Sequence, residues 1–145
     1  MIQGLDEPGE DHAVSSVPNA VVAFNPVLDT TEKGYGVNRV GQDRKTEISP
    51  CHRVKPGLPP MLVLHGTADK TVPFENARRF TDLMTEAGNR CELEAFEGAG
   101  HGFFNSTFFR PQTKNTQVYD ACMSRTYAFL ESLGYLPVER GVEPR

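Results

Sequence analysis

LPPMLVLHGTADKTVP, residues Leu58–Pro73, sets the fold. Met61–His65 is a continuous apolar run of strand length, bounded by Pro59-Pro60 before it and Gly66 after it. A strand with no polar face suits a parallel sheet covered by helices on both sides. Outward from it, Phe74, Ala77, Phe80, Leu83, Met84 and Ala87 recur at helical spacing, with Pro73 at the start and Gly88 past the end, so a helix is expected over Phe74–Ala87. Cys91–Phe96 follows as a strand. Upstream, Ala20–Phe24 is another short apolar run, closed by Asn25-Pro26. Val27–Pro60 is broken repeatedly by glycine and proline, with a short helix expected at Gln42–Glu47. Phe103–Asn115 reads as a long loop. Thr116–Leu133 reads as the last helix, with Val118, Cys122, Phe129 and Leu133 on one face and Gly134 ending it. The order predicts an α/β fold of about three parallel strands flanked by helices.

The 145 residues suffice for one domain. Charged residues make up 23% and hydrophobic ones 38%, a globular balance. Net charge is -4 and no long Lys/Arg run occurs, which argues against a nucleic-acid partner. The longest apolar runs are too short to cross a bilayer, so no membrane partner is expected either. Cys51, Cys91 and Cys122 are odd in number and form no CxxC pair, so free thiols are expected rather than a disulfide framework or zinc site. Met1–Glu10 is acidic and holds no signal peptide. The compartment stays open, cytoplasmic by default.

Two loops carry the chemistry, and both follow strands directly. One is HGTADKTVP, His65–Pro73, with Asp69. The other is EGAGHGF, Glu97–Phe103, with His101 among Gly98, Gly100 and Gly102. Loops at the carboxyl ends of parallel strands line the functional crevice of an α/β sheet. Parallel strands would therefore bring Asp69 and His101 to the same edge. A general-base histidine offers one ring nitrogen to the nucleophile and needs a carboxylate on the other to fix its tautomer.

These segments, LPPMLVLHGTADKTVP and FEGAGHGFF, resemble the seventh-strand acid and eighth-strand histidine segments of α/β-hydrolases. VPNAVVAFNPVLD, Val17–Asp29, is similar to the sixth strand of the esterase branch. The resemblance is strongest to acetyl esterases and carboxylesterases, with dienelactone-hydrolase-like and prolyl-oligopeptidase-like enzymes nearby. It covers Val14 to Leu133 and implies that Asp69 is the triad acid and His101 the base, in a serine hydrolase that uses no cofactor and acts on a small ester. It also implies a chain organised as an N-terminal loop (1–19), a partial hydrolase domain (20–136) and a tail (137–145).

That family places its serine in Gly-x-Ser-x-Gly, upstream of the acid. None of Ser15, Ser16, Ser49, Ser106, Ser124 or Ser132 sits in that pattern, and no His-Gly-Gly oxyanion segment occurs. The expectation is a truncated, C-terminal half with little hydrolysis of its own by this route.

Other readings stay open at the sequence level. Asp69 also suits a plain turn, and His101 a structural loop position. Asp29 is the competing acid. His65 is expected to pack under the Asp69 loop. A metal site of His65, Asp69 and His101 lacks familiar zinc spacing, so no metal is expected. His12 and His52 are expected to be solvated. Phe103, Phe104, Phe108 and Phe109 suit either an acyl-pocket wall or core contacts for the last helix. The parent is alternatively a prolyl-oligopeptidase-like peptidase, or the chain is a non-catalytic interaction module that self-associates through an exposed sheet edge.

Overall fold

The computed structural model describes residues 9, 11, 13, 15–105 and 116–137. Three strands, β1 (Val21–Phe24), β2 (Met61–Gly66) and β3 (Cys91–Phe96), form one parallel sheet in the order β1-β2-β3. Val21 lies beside Met61 and Phe24 beside Leu64; Met61 lies beside Cys91 and Gly66 beside Phe96. The helices are α1 (Val37–Val40), α2 (Phe74–Glu86) and α3 (Gln117–Ser132), with a single 3₁₀ turn at Pro50–His52.

β2 is central and dictates the layering. Its alternate side chains go to opposite faces. Val63 packs with Ala77, Phe80 and Met84 of α2, together with Leu28 and Cys51. Leu62 and Leu64 pack with Cys122 and Phe129 of α3. All of these side chains are buried, which is why the sequence of β2 is apolar without alternation. Arg125 of α3 pairs with Glu92 and Glu94 of β3, tying the last helix along the outer strand.

The helix ends follow their local chemistry. Ala87 closes α2 and Gly88 takes a left-handed φ of 75°, a conformation glycine reaches without a Cβ clash. The helix expected at Gln42–Glu47 does not form; that segment is a run of turns. Its six residues are all polar and offer no face to bury. The short helix falls instead at Val37–Val40, between Gly36 and Gly41, both with positive φ.

The connection after β1 is held by buried polar groups. Asp29 is 1% exposed. Its carboxylate accepts from the Thr31 amide (2.9 Å) and hydroxyl (2.7 Å) and pairs with Arg79 of α2. Burial pushes its pKa up, but the Thr31 bonds, Arg79 and His52 together hold it below the usual carboxylate value. Cys51 and Cys122 are free and buried, and burial pushes each thiol up to about 11; Cys91 is free and half-buried. None of the described helices is long and apolar enough to cross a membrane.

Candidate active site

The carboxyl ends of the strands are clasped together. The Thr67 amide donates to the Phe96 carbonyl (3.0 Å) and the Ala68 amide to the Ala99 carbonyl (3.0 Å). In return the Gly98 amide donates to the Thr67 hydroxyl (2.9 Å). The clasp requires glycine at 66, because a Cβ there would stand 2.2 Å from the Ala99 oxygen. On the other side the Gly66 amide donates to Asn25 Oδ1 (3.0 Å), while the Asn25 amide donates to the Leu64 carbonyl (2.8 Å). Asn25 makes this tie from a left-handed backbone, φ 43°, which asparagine tolerates better than most residues. Asn25 thus ties the end of β1 to β2, and the clasp ties β2 to the loop after β3.

The clasp delivers the two predicted residues to one rim. His101 Nδ1 lies 2.8 Å from Asp69 Oδ2. The carboxylate accepts only, so Nδ1 carries the proton and donates. The Asp69 side chain is fully buried and the His101 ring is 42% exposed. Nδ1 is engaged with the acid, so Nε2 is the ring nitrogen not committed to it. Oδ1 of Asp69 accepts from the amides of Thr71 (2.8 Å) and Val72 (3.0 Å). Burial raises the pKa of Asp69, but the His101 bond, these two amides and the nearby imidazole outweigh it, and the group sits below its ordinary value. Gly98 and Gly102 take positive φ around His101, 69° and 80°; Gly100 does not.

The other named residues fall as follows. Asp29 is committed to Thr31 and Arg79 and does not meet His101. His65 is fully buried under the Asp69 loop, its Nε2 3.0 Å from the Val72 carbonyl and 3.4 Å from Asp69 Oδ2. His65 and His101 thus both approach Asp69 Oδ2, at 3.4 and 2.8 Å. The described residues contain no group of three or more ligands arranged for a metal. His52 is exposed yet not unpartnered, since its Nδ1 lies 2.9 Å from the buried hydroxyl of Ser49, three residues back in the same tight turn. His12, Phe108 and Phe109 lie outside the described residues. Phe103 and Phe104 are core contacts: Phe103 stacks on Phe96 (4.6 Å between ring centres), Phe104 on Phe24 (5.1 Å), and both pack against the α3 cluster. Asn25, Gly66 and Thr67 build the site and were read from sequence only as strand ends or turn. The signal for Asn25 was slight, a polar residue held just before a proline.

Comparison with known proteins places this geometry in context. The prolyl oligopeptidase family matches residues 8–127. Among solved structures, Thermogutta terrifontis esterase 2 phosphoramylated by tabun superposes with a TM-score of 0.82 at 43% identity, over 96% of this chain and 50% of that one. The same esterase with propionate bound gives 0.78 at 40% identity, over 93% and 50%. Esterase LipC of Mycobacterium tuberculosis is 42% identical over 67 residues, 42% of this chain and 16% of its own length. Carboxylesterase SOBER1 of Arabidopsis thaliana is 41% identical over 46 residues, 32% of this chain and 20% of its own. The chain spans about half the length of the solved esterase and a fifth or less of these two curated relatives.

Proposed function

Because this chain belongs to the prolyl oligopeptidase family, within the α/β-hydrolases, we propose that it supplies the acid and base of a serine carboxylic-ester hydrolase. The observation that carries this reading is the 2.8 Å contact between a buried Asp69 carboxylate and the Nδ1 of a half-exposed His101. With Nδ1–H held on Asp69, Nε2 accepts the proton of an attacking serine. The serine then forms an acyl-enzyme and releases the alcohol, to which His101 returns the proton. The same nitrogen next activates water to release the acid. Asp69 holds the tautomer and offsets the charge that builds on the imidazolium.

These 145 residues contain no Gly-x-Ser-x-Gly, so the reading takes the nucleophile and the oxyanion donors from residues beyond them. β1 agrees with this, being one of the two edge strands of the sheet among the described residues. A short acyl ester is favoured over a peptide by the likeness to an esterase solved with propionate and with butyrate bound.

A chimera tests the proposal. This chain replaces the half of Thermogutta terrifontis esterase 2 that it matches, and turnover of p-nitrophenyl propionate and of a chromogenic prolyl peptide is measured. Ester hydrolysis is expected, with the peptide left intact. A folded chimera that cleaves only the peptide, or neither substrate, would overturn the proposal.

A further inference from the structure

We propose that His65 is a positioning residue, whose Nε2–H braces Oδ2 of Asp69 from the buried side and so aims the other face of that oxygen at His101. The inference rests on the hydrolase reading above and extends it to a side chain that touches neither substrate nor nucleophile.

The imidazole of His65 has no solvent exposure. Val72 presents a carbonyl to its Nε2, and a carbonyl cannot donate, so the ring proton is on Nε2. That N–H donates to the Val72 oxygen at 3.0 Å and stands 3.4 Å from Asp69 Oδ2, an electrostatic approach rather than a second hydrogen bond. Nδ1 has no partner among the described residues. An unmatched buried acceptor is unfavourable. For space-filling beside Phe74, whose ring meets the imidazole edge-on at 5.9 Å, a leucine would serve without that penalty. The feature a leucine lacks is the Nε2–H.

The surroundings of Asp69 show what that donor adds. Oδ1 is fixed by the Thr71 and Val72 amides. Oδ2 faces His101 on its exposed side and His65 on its buried side. Among the described residues, these two imidazoles are the basic side chains that lie against the Asp69 carboxylate. Removing the inner N–H takes its attraction away from Oδ2, so the carboxylate gains freedom to swing and the His101 bond loosens.

The test uses the full chain. Exchange of the His101 Nδ1 proton with water is followed by NMR in the wild type, His65→Leu and His65→Gln, alongside thermal melting. Glutamine places an amide N–H near the position of Nε2–H; leucine does not. Exchange is expected to quicken about three- to tenfold in His65→Leu, the size of one lost hydrogen bond, and to stay within about twofold of wild type in His65→Gln. Melting should not follow this order, because leucine also removes the unmatched acceptor. Unchanged exchange in His65→Leu, or equal quickening in both variants, overturns the inference. Should His65→Leu not fold, His65→Met carries the same comparison. These outcomes are independent of the chimera: inert chimeras end the hydrolase reading without altering exchange, and unchanged exchange ends this inference without altering turnover.

Discussion

In the chimera with Thermogutta terrifontis esterase 2, replacing His101 by alanine is expected to lower kcat/KM for p-nitrophenyl propionate about a thousandfold or more. His101 is asked to move a proton twice, from serine to leaving group and from water to departing serine. A positioned acid–base group contributes about 10²–10⁴ in rate, and among the described residues no other imidazole at this rim is open to solvent. His65 is buried and held on Val72, so it cannot substitute. Asp69→Asn is expected to fall by a similar order, because an amide at that position no longer enforces the tautomer. The double variant should lose little beyond His101→Ala alone, since the two groups act as one unit. Ester kinetics on the three variants, with circular dichroism to verify folding, check this. Losses that multiply would mean that the residues work separately.

Gly66→Ala is expected to disrupt the site through its backbone. The added methyl would lie 2.2 Å from the Ala99 oxygen, 2.7 Å from its carbonyl carbon and 3.2 Å from the Gly100 oxygen. All three are backbone atoms, so no side chain can rotate out of the way. The strand end and the His101 loop must part, and the Ala68–Ala99 and Gly98–Thr67 bonds go with them. A loss of about 3 kcal/mol is expected, or roughly 10 °C in Tm for a chain of this size. The contact between His101 and Asp69 should be lost as well, because both residues ride on the clasp. Thermal melts together with the His101 side-chain NMR signals test this. A variant that melts with the wild type and keeps the pair would show that the loop yields easily.

How much of this was legible in the sequence depended on whether the cause was local. β2 could be read from the apolar run Met61–Leu64, because a strand covered on both faces need not alternate with polar residues. Asp69 and His101 could be paired in advance because each stands in a turn directly after a strand, and parallel strands put such turns on one rim. The chain from Val37 to Glu47 misled, because Gln42–Glu47 holds ordinary helix formers while the glycines at 36 and 41, which frame the observed helix, read only as breakers. Asn25 was beyond reach. Its bond to the Gly66 amide spans 41 residues, and no local pattern announces it. The same holds for His65, correctly placed beneath the Asp69 loop but without the donor role now proposed. The Ser49 partner of His52 was within local reach at three residues, yet a histidine in an irregular segment carries no periodicity to mark it.

The proton between Asp69 and His101 decides whether the two residues work as one acid–base pair. ¹⁵N NMR of the neutral His101 ring, in the wild-type chain and in Asp69→Asn, reads which nitrogen carries it. The wild type is expected to hold the proton on Nδ1, and the variant to revert towards the Nε2–H form that a free imidazole prefers. An Nε2–H ring in the wild type, or the same tautomer mixture in both proteins, would contradict the account.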